Sequence, residues 1–440
     1  MKFGTDGVRG VAGTELTTEF AYRLGRAAAR VLSPAGATRR VVVGGDTRES
    51  TEPIEDALSY GFRDEGIDVV FLGVAPTPMV AFEAQRLGAL GAVVSASHNP
   101  YHDNGIKLFA AGGLKLTDDV EQRIEAELDV VGVGADLSAP SNVRGGADHR
   151  PYVDHVVGYL EGRRLDGLRV VLDAANGAAS VVGPAVLRAA GADVIVIADA
   201  PDGRNINDGC GATVPSNVAA AVREHGADVG VALDGDADRL IAVDHAGAVV
   251  DGDHIIAIVA ADLLAKDELR HDTVVVTVMT NLGFRLAMRK AGIDVVETGV
   301  GDRYVLEALA AGGYSLGGEQ SGHVIFADHA TTGDGVLTAI ALLDAVKRSG
   351  RPLAELSAAA MTSLPQVLVN VVVARRAPDV AELLADDIER VERSLAGAGR
   401  VLVRASGTEP LVRVMVEAPT HEAAQAAADD LAAVAHRHFG

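Results

Sequence analysis

The chain has 440 residues, of which 48% are hydrophobic and 23% charged, and this composition is typical of a globular protein. Its length exceeds what one core can hold and predicts three or four domains. The net charge of −22 argues against a nucleic-acid surface, and no apolar run is long enough to span a membrane. The single cysteine, Cys210, leaves no pair for an internal disulfide, and the N-terminus does not resemble a signal peptide. We therefore expect a cytoplasmic protein that binds neither nucleic acid nor membrane.

Short apolar runs alternate with helix-length segments through the first 365 residues. Strands separated by such segments indicate βαβ units and mostly parallel sheets. The predicted helices in the first part are Glu52–Glu65 and Pro78–Leu87. The predicted strands are Arg40–Val43, Val69–Leu72, Ala92–Val94, Arg169–Leu172, Val194–Ile197, Val229–Leu233, Thr273–Val278, Asp294–Glu297 and Val324–Phe326.

The pattern changes after a break at Thr362–Pro365. The elements predicted beyond it are strand Gln366–Val373, helix Asp379–Leu395, strands Val401–Arg404 and Val412–Glu417, and helix His421–Phe439. The fold class is therefore α/β, with three similar α/β domains of mixed, mostly parallel sheets followed by a small C-terminal α+β domain. The predicted domains are 1–146, 147–250, 251–364 and 365–440, with a Gly-, Ala- and Ser-rich linker at 131–146.

The first candidate site is the segment SASHNP at 95–100, which follows the apolar run Ala92–Val94. In an α/β sheet the ends of the strands are where ligands bind. Either Ser95 or Ser97 could be a nucleophile or a phosphate carrier, although the segment also reads as an ordinary Asn-Pro turn. A turn predicted at Asn104-Gly105 would bring Lys107 back to this loop, whereas a lysine alone is more often solvated.

The second candidate site is DGDADR at 234–239, which directly follows another apolar run. The alternating side chains of Asp234, Asp236 and Asp238 can converge on one hard cation, and without a cation they would repel each other. An EF-hand is excluded, because Arg239 and His245 occupy the positions that need glycine and glutamate. A bound Mg²⁺ is therefore favoured over the alternative, an acidic solvated turn.

Three glycine-rich segments complete the candidate sites. In GGEQSGH at 317–323, the glycines around Glu319 and Ser321 suggest a loop close to a polyhydroxyl ligand. In RASGTEP at 404–410, Arg404, two hydroxyls and the backbone around Gly407 could cradle a phosphate. In FGTDGVRG at 3–10, the glycines around Arg9 suit an anion site. Each segment could instead be a glycine-rich turn or a hairpin.

A serine hydrolase is the weakest alternative. Residues 313–317 match the G-x-S-x-G pattern, which would make Ser315 a nucleophile. That motif requires a helix directly after the serine, and another glycine loop follows instead. The sequence contains neither a P-loop nor a dinucleotide-binding fingerprint after a strand, and no Cys/His spacing typical of zinc.

Taken together and in this order, the five segments resemble the α-D-phosphohexomutase superfamily over essentially the whole chain. The resemblance implies four domains around a central cleft. It implies interconversion of glucosamine 6-phosphate and glucosamine 1-phosphate, for UDP-N-acetylglucosamine synthesis, through a phosphoserine enzyme and a 1,6-bisphosphate intermediate that can also act as primer. The choice of the amino sugar depends on details such as Gln320 in the sugar loop.

The resemblance also implies a role for individual residues. Ser97, rather than Ser95, would carry the phosphate. Its phosphate, together with Asp234, Asp236 and Asp238, would bind one Mg²⁺. The other implied residues are Glu319 and Ser321 for sugar hydroxyls, Arg404, Ser406, Gly407, Thr408 and Arg413 for the phosphate that is not reacting, and Arg9, Lys107, Arg239 and His323 at the reacting end.

Several alternatives stay open on the sequence alone. Lys107 or His323 could move the hydroxyl proton. The substrate could be a neutral hexose phosphate, as for a phosphomannomutase/phosphoglucomutase, or the chain could be a catalytically silent sugar-phosphate sensor. An intact Ser97 and an unbroken aspartate triplet argue against the sensor. The oligomeric state is not fixed by the sequence, and a homodimer is our expectation.

Overall fold

A computed structural model describes residues 1–4, 6–33, 39–132, 148–374, 379–405 and 410–440. The chain divides into a larger unit of residues 1–279 and 293–360 and a smaller unit of residues 280–292 and 361–440. The predicted linker at 131–146 lies outside the described residues except at 131 and 132. Within the described ranges, no helix has both the length and the apolar character required to cross a bilayer.

The first sheet lies in residues 1–132 and has six strands in the order β1-β5-β4-β2-β3, with β6 beside β5. Strand β2 pairs in parallel with β3 and β4, whereas β5 pairs antiparallel with β1 and β4. Its elements are β1 (Val8–Val11), α1 (Thr18–Leu32), β2 (Arg40–Gly45), α2 (Thr51–Asp64), β3 (Asp68–Val74), α3 (Thr77–Leu87), β4 (Leu90–Val94), β5 (Asp103–Ala110), β6 (Leu114–Lys115) and α4 (Asp118–Leu128).

Helices α1 and α2 approach each other closely through two glycines. A Cβ atom added to Gly25 would lie 2.2 Å from the Leu58 carbonyl oxygen, and one added to Gly61 would lie 2.1 Å from the Tyr22 carbonyl oxygen. Both distances are far inside van der Waals contact, and both partners are backbone atoms. The close packing of the two helices therefore requires that neither position carries a side chain.

We expect Gly61→Ala to destabilise the larger unit by about 1–3 kcal/mol, because the added methyl group forces the two helices apart. Gly158→Ala is the matched control, since Gly158 ends a helix and has open space at its Cβ position. That change should be neutral or stabilise by up to about 1 kcal/mol through helix propensity. Urea unfolding of both variants measures the difference. Equal unfolding midpoints for the two variants would refute the close packing.

The second sheet has the order β11-β10-β9-β7-β8. Strand β7 pairs in parallel with β8 and β9. Strand β10 pairs antiparallel with both β9 and β11. Its elements are α5 (Arg150–Gly158), β7 (Arg169–Asp173), α6 (Val182–Ala189), β8 (Asp193–Ile197), α7 (Ser216–His225), β9 (Val229–Leu233), β10 (Leu240–Asp244) and β11 (Val249–Val250). The segment DGDADR therefore connects two fully buried strands, β9 and β10.

The third sheet has the order β13-β12-β14-β15, with a terminal antiparallel pair β14–β15. The elements from here to residue 360 are α8 (Gly252–Ala265), a short 3₁₀ helix (Arg270–Asp272), β12 (Thr273–Thr277), α9 (Leu282–Ala291), β13 (Asp294–Thr298), α10 (Asp302–Gly312), β14 (Leu316–Gly318), β15 (Val324–Phe326), α11 (Gly335–Ser349) and α12 (Leu353–Ala360). Helix α9 belongs to the smaller unit.

The smaller unit has an antiparallel sheet of order β16-β18-β17. A buried apolar cluster of mostly valines and alanines joins one face of this sheet to helix α15. The elements are β16 (Gln366–Val372), α13 (Val380–Leu383), α14 (Ala385–Ser394), β17 (Arg400–Ala405), β18 (Leu411–Glu417) and α15 (His421–Phe439). The predicted fold class, with mixed sheets and a small C-terminal α+β domain, is confirmed, and the exact domain boundaries stay predictions.

Two local predictions are wrong, and the nucleophile elbow at Ser315 is absent, as expected from the sequence. Asn104 and Gly105 lie inside strand β5, so no turn is present there. The helix predicted at 379–395 is two helices, α13 and α14, that meet at Leu384. Ser315 follows helix α10 and precedes strand β14, which reverses the strand-to-helix order of a nucleophile elbow. Its hydroxyl is buried and donates to the Glu268 carbonyl oxygen at 3.2 Å, so Ser315 has a structural role.

Candidate active site

Ser97 lies in the loop between β4 and β5, and its side chain points to the acidic segment after β9. Its Oγ donates a hydrogen bond of 2.6 Å to Asp234 Oδ2. The His98 ring is adjacent, with Nδ1 at 3.3 Å from Ser97 Oγ and at 3.4 Å from Arg239 Nη1. Burial, and then the charges of Arg239 and Arg9, lower the pKa of His98. A neutral imidazole and a carboxylate thus flank the Ser97 hydroxyl.

Asp234, Asp236 and Asp238 converge as a buried group that could hold a metal ion. Each offers an oxygen within 4.8 Å of the other two, and none is more than 3% exposed. Asp236 Oδ1 and Asp238 Oδ1 are buried and accept no hydrogen bond from the described residues. Buried carboxylate oxygens are normally satisfied, so this donor set fits a cation that prefers oxygen ligands. Burial, and then the charges of Asp238 and Asp236, hold the pKa of Asp234 well above its usual range.

Lys107 reaches this group from strand β5. Its Nζ lies 2.7 Å from Asp236 Oδ2, 3.0 Å from Asp238 Oδ2 and 2.8 Å from Asp6 Oδ2. Burial disfavours the ammonium, but the carboxylates of Asp236, Asp238 and Asp6 outweigh it and hold the pKa of Lys107 well above its usual value. Lys107 is therefore a fixed positive charge beside the aspartates. The sequence predicted that a turn returns Lys107 to the Ser97 loop. The structure instead places Lys107 on β5, beside β4, with its ammonium at Asp236 and Asp238.

His323 lies directly before β15 and is 2% exposed. Its Nδ1 is 3.7 Å from Asp238 Oδ1, and its Nε2 is 3.5 Å from Asp302 Oδ2. In the neutral ring, Nε2 accepts from the Gly333 N–H at 3.1 Å and the ring proton is on Nδ1, toward Asp238. Burial opposes the charged ring, but Asp238 and then Asp302 outweigh it and raise the pKa of His323.

A chain of ion pairs continues from Lys107 to His323 behind these groups. Asp6 accepts from Lys107 and also pairs with Lys115 through Oδ1 at 2.9 Å and with Arg9 at 2.7 Å. Lys115 in turn pairs with Asp302, which faces His323. The chain alternates positive and negative charges, so each buried charge has an opposite neighbour.

The segment GGEQSGH forms the tight connection between β14 and β15. Glu319 accepts from the Gly301 N–H at 3.1 Å and from Ser321 Oγ at 3.2 Å. Gln320 Nε2 approaches Asp251 Oδ2 at 3.4 Å. Gly322 has a φ of 90° and lies against the Leu240 backbone, which joins this connection to β10. Glu319 and Ser321 are thus adjacent and partly exposed.

A cavity of about 410 Å³ in the larger unit brings several of the predicted residues together. Arg9, Arg239, Glu319 and His323 all contribute to its wall. The other lining residues are Lys2, Gly4, Asp6, Gly7, Asp238, Val300, Gly301 and Asp302. Side chains of both charges and few apolar groups line the space, which suits a small, polar, charged ligand.

Arg404 and Arg413 lie in the smaller unit and are directly opposite each other on β17 and β18. Burial, and then the charge of Arg413, lower the pKa of Arg404. Two cross-strand guanidinium groups repel each other, so this pairing does not by itself stabilise the sheet. Ser406, Gly407 and Thr408 lie outside the described residues.

Sequence reasoning missed several residues that contact the predicted ones or link them to each other. Asp6, Lys115 and Asp302 form the ion-pair chain, and Thr77 donates to Asp236 Oδ2 at 2.6 Å. Asp6 lies in FGTDGVRG, one of the five segments that carry the resemblance, and this was the available signal. Lys115 and Thr77 lie in none of the five segments, so nothing in the sequence singled them out.

Comparisons with known proteins agree with this geometry. Sequence models described as phosphoglucomutase/phosphomannomutase match the alpha/beta/alpha domains I, II and III at residues 1–131, 150–247 and 251–364, and the C-terminal domain at 368–434. The phosphoglucosamine mutase of Thermobifida fusca is 55% identical over 438 residues, covering 98% of this chain and 97% of the relative. The phosphoglucosamine mutase of Frankia casuarinae is 56% identical over 446 residues, with coverage of 98% and 97%.

A solved structure of a phosphoglucomutase/phosphomannomutase family protein from Burkholderia thailandensis superposes with a TM-score of 0.81. It is 26% identical in sequence, and the match covers 98% of this chain and 97% of that chain. The resemblance found in the sequence is therefore confirmed at the level of sequence and of fold. The chain belongs to the phosphoglucomutase/phosphomannomutase family, whose members are enzymes of the phosphohexomutase superfamily.

Proposed function

We propose that the chain is an intramolecular phosphotransferase that interconverts glucosamine 6-phosphate and glucosamine 1-phosphate, on the route to UDP-N-acetylglucosamine. Ser97 is the phosphate carrier. The observation that carries the proposal is the 2.6 Å hydrogen bond from Ser97 Oγ to Asp234, within a buried triplet of carboxylates. The relatives named phosphoglucosamine mutase, 55% and 56% identical, support the choice of sugar.

The carboxylates of Asp234, Asp236 and Asp238 would hold one Mg²⁺, with the phosphate on Ser97 as a further ligand. Two oxygens of this triplet accept no hydrogen bond from the described residues, which supports the proposal. When bound, Mg²⁺ neutralises charge on the phosphoryl group. A phosphate on Ser97 would otherwise lie beside three carboxylates, an arrangement that like charges disfavour.

The reaction would proceed through two phosphoryl transfers. In the first, the bond from phosphorus to Ser97 Oγ breaks and a bond to O1 of glucosamine 6-phosphate forms, while the O1 proton is passed on and Oγ regains a proton. The resulting 1,6-bisphosphate reorients. In the second, the bond from phosphorus to O6 breaks and a bond to Ser97 Oγ forms, with O6 protonated. The phosphoenzyme is regenerated and the net change is an isomerisation, primed by a sugar 1,6-bisphosphate.

The proton transfers depend on groups whose charge the structure constrains. Three carboxylates hold Lys107 as an ammonium, so we assign it to proton donation to the leaving oxygen rather than to proton abstraction. When neutral, His323 has its ring proton on Nδ1, because Nε2 accepts from Gly333. This arrangement favours Lys107 as the general acid. His323 would instead orient Asp238, and both side chains line the cavity.

The remaining predicted residues would bind the substrate. Glu319 would accept hydrogen bonds from sugar hydroxyls, and Ser321 is held beside it at 3.2 Å. Arg9 and Arg239 line the cavity and would bind the reacting phosphate. In the smaller unit, Arg404 and Arg413 would bind the phosphate that is not reacting, with Ser406, Gly407 and Thr408 contributing hydroxyl and backbone donors. The substrate would thus carry one phosphate, and the reacting phosphoryl group would come from Ser97.

The substrate class is tested by measuring kcat/KM for glucosamine 6-phosphate, glucose 1-phosphate and mannose 1-phosphate, each with Mg²⁺ and glucose 1,6-bisphosphate as primer. We expect glucosamine 6-phosphate to be preferred at least about 10-fold, the order of discrimination that one substituent provides. A preference for either neutral hexose phosphate would instead identify a phosphomannomutase/phosphoglucomutase. Binding without turnover of any of the three would identify a sugar-phosphate sensor.

The remaining expectations concern the setting of the enzyme. We propose a cytoplasmic protein whose partner is the small amino-sugar phosphate, without nucleic acid or membrane. We propose a homodimer as the oligomeric state, which sedimentation equilibrium would check.

A further inference from the structure

Ser97 has a backbone conformation that serine rarely adopts. Its φ is 54°, in the left-handed region that favours glycine. Such a conformation costs of order 1–3 kcal/mol and persists only where the surroundings impose it. Groups on both sides of the residue must therefore stabilise the loop, and the hydrogen bonds to its amide and its carbonyl identify them.

The amide side is fixed by Ser95 and Asp46. The Ser97 N–H donates to Ser95 Oγ at 2.9 Å, and Ser95 Oγ donates in turn to Asp46 Oδ2 at 2.5 Å. Ser95 is 0% exposed and Asp46 is 2% exposed. The Ser95 hydroxyl therefore has a structural role, because it donates to the Asp46 carboxylate and accepts from the Ser97 amide. Its geometry explains why Ser97, and not Ser95, faces Asp234.

The carbonyl side is fixed by Arg48, in the loop between β2 and α2, and by Asn207, in the loop between β8 and α7. Arg48 Nη2 donates to the Ser97 and Asn99 carbonyl oxygens at 3.2 and 2.6 Å. Asn207 Nδ2 donates to the same two oxygens at 2.9 and 3.2 Å. Arg48 is buried and paired with Asp46, so the amide and carbonyl contacts share one anchor.

The metal-site segment packs against the same carbonyl. A Cβ atom on Gly235 would lie 2.5 Å from the Ser97 carbonyl oxygen and 2.9 Å from Asn207 Nδ2. The absence of a side chain at Gly235 therefore lets the DGDADR segment lie directly on the Ser97 loop. The distance between the carrier hydroxyl and the aspartates is set by these backbone contacts.

We propose that Asp46, Arg48, Ser95 and Asn207 are positioning residues that hold the Ser97 loop in one conformation in both its free and phosphorylated states. The proposal rests on the proposed function. Each cycle changes the charge on Ser97 by about two units, which pulls the loop toward or away from its charged neighbours. Phosphoryl transfer depends more on the positions of the reacting groups than on covalent chemistry by the protein. A Ser97 loop that moved would therefore lower kcat. None of the four side chains touches the reacting atoms.

The test compares Asn207→Asp with Asn205→Asp in the full-length, phosphorylated enzyme. Both changes replace an amide by a carboxylate of the same shape and remove an Nδ2 donor. Asn207 donates to the Ser97 loop, whereas Asn205 donates to the Ala200 carbonyl oxygen at 3.0 Å within its own loop. We expect Asn207→Asp to lower kcat about 10- to 100-fold with KM changed less than about threefold, and Asn205→Asp to stay near the wild type.

A second measurement distinguishes a misplaced Ser97 loop from a general loss of stability. Enzyme labelled on Ser97 with radioactive phosphate is mixed with substrate, and transfer to sugar is compared with loss to water. We expect the Asn207→Asp phosphoenzyme to lose a larger share of its label to water. Equal partitioning in the two variants, or a fall in KM and kcat that follows thermal stability alone, would overturn the proposal. A wild-type enzyme that acquires no label would instead overturn the proposed function.

Ser95→Ala gives an independent variant if the first does not fold. Its control is Ser59→Ala, since Ser59 is equally buried and its Oγ has no hydrogen-bond partner among the described residues. We expect Ser95→Ala to lower kcat at least about 10-fold more than Ser59→Ala, with Ser97 still labelled. Equal kcat values for the two alanine variants would show that the Ser95 contacts do not position the carrier.

Discussion

Ser97→Ala is expected to abolish the interconversion of the two glucosamine phosphates, with a fall in kcat of about 10⁴-fold or more. The physical reason is that Ser95, the other hydroxyl of this loop, cannot replace Ser97 as the acceptor of the phosphoryl group. Ser97 Oγ points to Asp234 at 2.6 Å, whereas Ser95 is fully buried and donates to Asp46. Intact mass spectrometry after incubation with a sugar 1,6-bisphosphate measures the carrier directly, because phosphorylation adds one phosphoryl group to the wild type and none to the variant.

The control for this experiment is Ser59→Ala, which removes a buried hydroxyl in helix α2. It should keep both the phosphoryl group and the activity of the wild type. If Ser97→Ala still acquires a phosphoryl group and retains activity, Ser97 is not the carrier. If the variant keeps the fold and loses both, the carrier assignment stands independently of which sugar is preferred.

The sequence predicted the carrier and the aspartates for a physical reason. SASHNP directly follows β4 of the first sheet and DGDADR directly follows β9 of the second, and the ends of buried strands in α/β sheets are where ligands bind. The residues alone did not decide between Ser95 and Ser97, and the family resemblance made that choice. The hydrogen bonds of the two hydroxyls now supply the physical basis, because one is satisfied internally and the other faces Asp234.

The misread turn at Asn104-Gly105 shows where local rules fail. Asn-Gly is a strong turn signal in isolation. Here a Cβ atom on Gly105 would lie 2.6 Å from the Ser95 carbonyl oxygen, so the glycine permits close contact between the loop after β4 and β5. Asn104 donates to the Ser50 hydroxyl at 2.9 Å and its own side chain accepts from Gly105 N–H. Both residues serve tertiary packing, which a window of sequence cannot show.

The ion-pair chain could not be predicted for a different reason. Asp6, Lys115 and Asp302 are separated by more than 100 residues at each step, and single charged residues in a sequence usually lie on the solvated surface. Only the fold places Asp6 between Lys107 and Lys115 and Lys115 beside Asp302. Long-range electrostatic pairing of this kind leaves no periodic pattern behind.

Asp236→Asn is expected to lower kcat at least about 100-fold and to weaken Mg²⁺ binding. Asp236 contributes a buried oxygen, Oδ1, that accepts no hydrogen bond from the described residues, while Oδ2 accepts from Lys107 at 2.7 Å and Thr77 at 2.6 Å. The amide keeps the shape and the Oδ2-side contacts but removes one negative charge from the proposed metal site. The cation is then held less tightly, and the phosphoryl group loses part of its charge neutralisation.

The control is Asp244→Asn, a buried carboxylate at the end of β10 that accepts from the Ala246 and Ala248 amides, both at 2.9 Å. A ligand that binds the folded state stabilises it by about 2.7 kcal/mol at 100 times its Kd, so Mg²⁺ should raise the Tm of the wild type and of Asp244→Asn. We expect a much smaller rise for Asp236→Asn at the same Mg²⁺ concentration. Full activity of Asp236→Asn at limiting Mg²⁺, with an unchanged thermal shift, would place the metal elsewhere. A lost thermal shift that accompanies the lost activity would assign the cation to the three carboxylates.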